Sequence, residues 1–167
     1  MMKKKIVIGN WKMEPQTAEE AESIVTEIKS GLNGFAKVLT VICPPFTFLP
    51  EVSQIISKNK NIILGAQDVG SESGGPYTGE VSAKMLKDAS CQYVIVGHSE
   101  RKKLGETDEI VSQKVYLAAK SGLQAVLCVG EKKRDDHCQF WHELKDQLMI
   151  TLLKINRPLL KKVTIAY

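Results

Sequence analysis

Two polar side chains that could bind an anionic ligand stand directly after the first apolar run of the chain. Asn10 and Lys12 are separated by one residue, so an extended backbone would turn both toward one side and Trp11 toward the other. An amide and an ammonium that face one pocket could then hold an anion between them. The alternative is that Lys12 is an ordinary solvated lysine, as about nine lysines in ten are.

The segment 97–101, of sequence Gly-His-Ser-Glu-Arg, follows the fourth apolar run and is the second candidate. Gly97 permits close approach of a ligand or of neighbouring backbone, and a turn into a following helix would aim N–H groups at the site. Because such donors disfavour an imidazolium, His98 is expected to be a neutral ring that donates a hydrogen bond. The alternatives are a structural histidine and, for Glu100 and Arg101, ordinary charges of a first helical turn.

The segment 73–80 is a candidate for contact with a partner rather than for chemistry. Its sequence, Ser-Gly-Gly-Pro-Tyr-Thr-Gly-Glu, is rich in turn-forming residues and should protrude from the fold. An exposed aromatic side chain at Tyr77 suggests a contact surface, and a plain mobile loop is the alternative.

Nucleotide and zinc sites find little support in the sequence. Neither the G-x-x-x-x-G-K-[ST] nor the G-x-G-x-x-G phosphate-binding motif occurs. His137, Cys138 and His142 cluster, but a zinc site would need further ligands, and no spacing typical of zinc ligands recurs.

A regular series of short apolar runs positions these candidates. The runs are continuous rather than alternating, which is typical of parallel strands covered on both faces. They are Lys5–Ile8, Val38–Cys43, Ile62–Ala66, Tyr93–Val96, Leu123–Val129 and Val163–Ala166. Helical patterns separate them, with side chains able to cap helix N-termini at Thr17, Ser82 and Thr107. The last apolar stripe, Leu144–Ile155, predicts one helix that Pro158 ends.

Strict alternation of strands and helical units predicts an α/β domain with a parallel sheet. An open doubly wound sheet and a (β/α) barrel both fit this pattern. In either architecture the functional residues lie just beyond the carboxyl ends of the strands, which is where Asn10, Lys12 and His98 are expected.

Composition excludes several classes of protein. The chain has 167 residues, of which 43% are hydrophobic and 25% charged, as in an ordinary globular domain. Its net charge of +4 is spread along the chain, which disfavours nucleic-acid binding, and its apolar runs are too short to span a membrane. The four cysteines lack the spacing of a disulfide scaffold, so a reducing cytosol is expected.

Taken together in chain order, the motifs resemble those of the triosephosphate isomerase family. The resemblance runs along essentially the whole chain, and Tyr93–Arg101 is its most specific piece. The other matching segments are Gly9–Met13, Cys43–Phe46, Gly65–Asp68, Gly75–Glu80, Gly105–Asp108 and Cys128–Glu131.

The resemblance implies a (β/α)8 TIM barrel, of which residues 1–167 would be one domain holding about the first six strands. It implies interconversion of dihydroxyacetone phosphate and D-glyceraldehyde 3-phosphate through an enediolate, as part of glycolysis and gluconeogenesis, with no cofactor and no metal. It also implies a cytoplasmic homodimer, in which Thr78 reaches into the pocket of the partner subunit and Tyr77 lies at the interface.

The resemblance assigns roles at the site as well. Asn10 and Lys12 would bind the substrate, and the Lys12 ammonium would offset the charge of the phosphate and the enediolate. His98 would polarise the carbonyl and shuttle protons; this family is itself the standard example of a catalytic histidine kept neutral by a helix N-terminus. Glu100 would support Lys12 or relay a proton.

The family's general base is a glutamate directly after the Ala-Tyr of the sixth strand, and this sequence ends at Tyr167. Roughly 250 residues are typical of an eight-stranded barrel. We therefore expect the chain to be part of a longer polypeptide and to be inactive by itself, since proton abstraction needs a base. The segment Lys132–His142 also departs from the family pattern, which leaves its loop geometry open.

Two other functions are compatible with the residues. A catalytically inactive barrel fragment could serve only in subunit association through the segment 73–80. An open, flavodoxin-like phosphate binder would share the alternation of strands and helices and little else.

Overall fold

The computed structural model describes residues 5–32, 37–131, 134 and 140–167. Within these ranges the apolar runs form six strands, which are β1 (Lys5–Asn10), β2 (Val38–Cys43), β3 (Ile62–Ala66), β4 (Tyr93–Val96), β5 (Gln124–Cys128) and β6 (Val163–Ala166). Four strands have the predicted bounds, β1 extends two residues further and β5 is one residue shorter at each end. His137 and Cys138, which cluster with His142 in the sequence, lie outside the described residues, as does most of the segment Lys132–His142.

Helices connect the strands, and most of them begin at a capping side chain. They are α1 (Ala18–Gly31), α2 (Leu49–Ile56), α3 (Ala83–Asp88), α4 (Ser99–Lys103), α5 (Asp108–Lys120), α6 (Phe140–Thr151) and α7 (Arg157–Leu160), with a 3-10 turn at Phe46–Phe48 before α2. The three predicted caps are confirmed, because the hydroxyls of Thr17, Ser82 and Thr107 each accept a backbone N–H three residues ahead. None of the described helices has the length and apolar character that a membrane crossing requires.

The prediction that one helix continues to Pro158 is wrong. Helix α6 ends at Thr151, and Pro158 lies instead in the first turn of α7. The Asn156 side chain accepts the Leu159 N–H at 3.1 Å and so caps a new helix, in whose first turn proline is tolerated. Leu152 and Ile155, the end of the predicted stripe, still pack against the core from the turn between the two helices.

The strands are all parallel and follow the chain order β1-β2-β3-β4-β5-β6. This order has no switch point, so it excludes the open doubly wound alternative. Val41 of β2 nevertheless belongs to the same buried cluster as Ile95 of β4 and Val126 of β5. In a flat sheet β2 and β5 would lie about 14 Å apart, so one compact cluster that spans these strands favours a curled sheet. The fold is therefore part of a (β/α)8 barrel, as the resemblance implies.

Two apolar clusters cover the two faces of the curled sheet. The larger lies between the strands and the surrounding helices and includes Val94, Val96 and Leu127. The smaller lines the inner face with the alternate residues, Ile95 and Val126 among them. This arrangement explains why the runs are continuously apolar, and it leaves the carboxyl ends of the strands for polar side chains.

Candidate active site

The turn after β1 places Lys12 by a local hydrogen bond. The side-chain oxygen Oδ1 of Asn10 accepts the backbone N–H of Lys12 at 3.0 Å, and Lys12 has φ of +57°, in the left-handed region. The expected extended backbone over these residues is therefore wrong, because an asparagine side chain stabilises a turn two residues ahead of it. Trp11 still faces away from the site and packs against the larger apolar cluster. The remaining amide nitrogen of Asn10, Nδ2, makes no hydrogen bond to a described residue.

His98 stands at the carboxyl end of β4 as the N-cap of helix α4. The preceding residue, Gly97, has φ of +73°, and a Cβ there would lie 3.0 Å from Val111 Cγ1 and 3.3 Å from the carbonyl oxygen of Cys128. Only glycine fits this close approach without displacing its neighbours. The imidazole is about one-quarter exposed, so its position is defined by the surrounding backbone while a ligand can still reach it.

The hydrogen bonding of His98 favours a neutral ring with its proton on Nε2. Its Nδ1 accepts the backbone N–H of Glu100 at 3.3 Å. The Glu100 carboxylate oxygen Oε2 lies 3.6 Å from the same Nδ1 and would form an ion pair only with a protonated Nδ1. We favour the backbone contact, because the Glu100 amide always carries its proton. A protonated Nδ1 would bring two N–H groups, that of Glu100 and its own, against each other. The Nε2–H is then a hydrogen-bond donor.

Lys12 and Glu100 connect the two halves of the site. The Lys12 ammonium lies 2.9 Å from Glu100 Oε1, and each side chain is about half exposed. The hydrogen bond from Lys12 lowers the pKa of Glu100, and the positive charge of Lys12 adds to this effect. The structure thus brings Lys12, Glu100 and His98 together at the carboxyl ends of β1 and β4.

A buried ionic cluster lies beside this site, and the sequence did not reveal it. Lys114 of α5, whose side chain is 3% exposed, bonds both carboxylate oxygens of Asp68 at 2.8 Å and forms an ion pair with Glu106. Arg101 Nε lies 2.9 Å from Asp68 but is not aligned as a hydrogen bond, so this contact is electrostatic. The available signal was the position of Lys114 within the apolar stripe of α5, next to the buried Val115. The cluster joins the end of β3 to α4 and α5.

A third group lies at the ends of β5 and β6. The Tyr167 hydroxyl is 3.0 Å from Glu131 Oε1, and Arg134 forms an ion pair with the same carboxylate at 2.7 Å. Backbone hydrogen bonding is the main cause that lowers the pKa of Glu131, and the bond to Glu131 raises the pKa of Tyr167. Among the described residues, no group of three His, Cys, Asp or Glu side chains could hold a metal ion.

The predicted partner segment protrudes from the same end of the sheet. A hydrogen bond of 2.8 Å from Gly70 N–H to the Val81 carbonyl closes its base, and every residue of 72–80 is exposed. Tyr77 is 48% exposed. Thr78, which is expected to reach a partner subunit rather than this site, is exposed on the same segment.

Comparison with known proteins points to one family. A family model described as triosephosphate isomerase matches residues 5–167. A protein of that name from Treponema denticola is 43% identical over 170 aligned residues, which cover 99% of the chain and 66% of the relative. One from Alkaliphilus oremlandii is 39% identical over 168 residues, with 99% and 66% covered. One from Endomicrobium trichonymphae is 44% identical over 142 residues, with 83% and 56% covered. The chain thus spans 56–66% of the length of these curated relatives.

Proposed function

The chain belongs to the triosephosphate isomerase family, and from that premise we propose that the protein interconverts dihydroxyacetone phosphate and D-glyceraldehyde 3-phosphate through an enediolate. The observation that carries the proposal is the convergence of Lys12, Glu100 and His98 at the carboxyl ends of β1 and β4. An ammonium and a neutral imidazole donor at one site suit a reaction in which negative charge develops on a substrate oxygen.

The binding roles follow from charge and from free donors. Lys12 offers the positive charge that a phosphate and an enediolate oxygen require, and its ion pair with Glu100 limits where the ammonium can move. Asn10 fixes the Lys12 backbone through Oδ1 and keeps its Nδ2 hydrogens for the substrate. We therefore propose both residues as substrate ligands.

His98 is proposed as the electrophile and proton carrier. Its Nε2–H would donate to the substrate carbonyl and transfer its proton to the oxygen as the enediolate forms; returning a proton from the neighbouring hydroxyl would restore the ring. Glu100 is proposed to support Lys12 and to relay charge rather than to act as the base, because its pKa is lowered and Lys12 already holds it.

The reaction also needs a base that removes a proton from carbon. Glu100, the carboxylate that lies at this site, is paired with Lys12 and has a lowered pKa, which makes it a weak base. We therefore expect the 167-residue polypeptide, assayed by itself, to show no measurable turnover.

The proposed function is tested by a coupled isomerase assay of the intact protein, meaning the polypeptide that the complete gene encodes. His98→Gln is expected to lower kcat by about 10²- to 10⁴-fold, because it removes the proton donor. Lys12→Met should raise KM and lower kcat as well, whereas Lys60→Gln, at the opposite end of the sheet, should retain parental values. An intact protein without isomerase activity, or His98→Gln with parental kcat, would overturn the proposal.

We also propose that the protein is a homodimer and that the segment 73–80 lies in its interface. Large apolar side chains are exposed after four successive strands at this end of the sheet: Met13 (82%), Phe46 (37%), Tyr77 (48%) and Leu104 (78%). A second subunit would remove them from water. Thr78→Arg should shift the sedimenting species to a monomer, whereas Ser121→Arg, in an exposed turn at the opposite end, should not. A monomeric parent would contradict this proposal.

A cytoplasmic location is our proposal on redox grounds. Cys43, Cys91 and Cys128 are free thiols, and no disulfide joins the described residues. Burial raises the pKa of both Cys43 and Cys91 to about 12, so these thiols are poor nucleophiles. Free thiols that carry no disulfide suit a reducing compartment.

A further inference from the structure

Gln147 is a buried polar side chain whose hydrogen bonds have no part in the proposed chemistry. It lies on α6 with 6% of its surface exposed. Its Oε1 accepts the backbone N–H of Gly130 at 3.1 Å, and its Nε2 donates to the carbonyl of the same residue at 2.8 Å. Its Oε1 also accepts from Lys102 Nζ at 3.3 Å. The amide therefore holds both backbone groups of one residue, much as a neighbouring strand would.

The first partner of Gln147, Gly130, follows the strand that packs against Gly97, the residue before His98. Gly130 follows β5 and comes two residues after Cys128, whose carbonyl oxygen would be 3.3 Å from a Cβ at Gly97. Strands β4 and β5 are paired up to this point, with Val96 opposite Leu127. A displacement of the Gly130 backbone would therefore alter the surface against which Gly97, the residue before His98, is packed.

The second partner leads to the same histidine through α4. Lys102 is in the short helix that His98 caps, and its backbone N–H donates to the His98 carbonyl at 3.1 Å. Its ammonium is fixed between Gln147 and Asp108, 2.9 Å from the latter. Gln147 thus bonds one residue on each of two elements, the turn after β5, whose Cys128 approaches Gly97, and α4, which His98 caps.

We propose that Gln147 is a positioning residue that sets the orientation of the His98 imidazole. It ties α6 to the turn after β5, the strand that packs against Gly97, and to α4, which His98 caps. The catalytic consequence rests on the proposed isomerase function, whereas the positioning of the ring does not. A glutamine that merely satisfied its own buried amide would stabilise α6 without affecting the histidine.

The test compares two variants. Gln147→Met keeps the length of the side chain and removes its hydrogen bonds, whereas Gln147→Glu can accept the Gly130 N–H but cannot donate to the Gly130 carbonyl. Lys145→Met, exposed on the same helix and outside the site, is the matched control. In the intact protein, ¹⁵N NMR of the histidine side chains, assigned with His98→Gln, reports the state of the ring. Amide hydrogen exchange at Gly130 reports the contact itself.

Gln147→Met should speed exchange at Gly130 by about tenfold or more and should shift or broaden the His98 nitrogen resonances. It should also lower kcat by about tenfold while KM stays within about twofold, because misplacement of the ring affects the chemical step. Gln147→Glu should lie between Gln147→Met and the parent, and Lys145→Met should match the parent.

Faster exchange at Gly130 in Gln147→Met with parental His98 resonances would overturn the proposal. If Gln147→Met does not fold, Gln147→Glu decides, and parental His98 resonances in that variant despite lost Gly130 protection would overturn it too. An intact parent without isomerase activity would refute the proposed function, while the His98 resonances would still test the positioning.

Discussion

The two ends of the curled sheet carry charge in different ways. Every ion pair of a lysine or arginine among the described residues lies at the carboxyl ends of the strands, in the groups around Glu100, Asp68, Asp108 and Glu131. The lysines at the amino ends of the strands, namely Lys5, Lys37, Lys60 and Lys162, form no ion pair with a described residue. The same residue type is thus part of a network at one end and solvated at the other.

The difference shows that charge at the carboxyl ends is fixed in place rather than merely present. Lys114 is almost fully buried between Asp68 and Glu106, and Lys12 is held by Glu100. Fixed charges can stabilise a developing charge without reorganising, whereas a mobile surface lysine cannot. Substitutions at the two ends should therefore have very different effects.

The largest effect on stability is expected from Lys114→Met. The change removes the only ammonium that bonds both carboxylates within the described cluster and leaves Asp68 and Glu106 buried without it. Breaking a buried pair in this way costs about 3–5 kcal/mol, so the urea midpoint should fall sharply in equilibrium unfolding. An unchanged midpoint would show that water replaces the ammonium and that the cluster adds nothing to stability.

A smaller effect is expected where the backbone approaches the site most closely. Gly97→Ala places a methyl group against Val111 and the Cys128 carbonyl at positive φ, which should lower the free energy of unfolding by about 1–3 kcal/mol. Gly122, at the amino end, has φ of +85° but no atom within 4 Å of a Cβ. Gly122→Ala therefore measures the backbone strain alone, and equal losses in the two variants would exclude crowding at Gly97.

The contrast between the ends also shows what the sequence could predict. Strand positions and helix caps depend on residues within a few positions of each other, so the apolar runs and the Thr17, Ser82 and Thr107 caps located them well. The rule that parallel strands place functional residues at their carboxyl ends singled out Lys12 and His98, and the structure places both beside Glu100.

Features that depend on contacts between distant segments could not be predicted in this way. Lys114 meets Asp68 from 46 residues away, and Gln147 meets Lys102 from 45 residues away. Neither spacing leaves a pattern in the chain. The prediction of an extended conformation at Lys12 was wrong for a local reason instead. The side chain of Asn10 stabilises a turn, which a rule based on the alternation of side chains along a strand does not consider.

A still smaller effect is expected from the exposed pair at the carboxyl end. Lys12 lowers the pKa of Glu100 below its ordinary value of 4.5, so the pair stabilises the folded state fully above that pH. The contribution is lost as the pH falls through the lowered pKa. Glu100→Gln should therefore flatten the decrease in the urea midpoint on acidification below about pH 4.5, with Glu72→Gln in the exposed loop as control. An unchanged pH dependence would show that the pair contributes no stability.

The smallest effect is expected at the amino ends, from Lys60→Met. Lys60 is exposed, precedes β3 and pairs with no described carboxylate, so it has neither a partner to lose nor a packing position to vacate. The free energy of unfolding should change by less than about 0.5 kcal/mol, in contrast to the same substitution at Lys114. Equilibrium urea unfolding of the two variants side by side measures the comparison directly. A loss at Lys60 that approached the loss at Lys114 would mean that the amino-end lysines are held as firmly as those at the carboxyl ends, and the distinction between the two ends would fail.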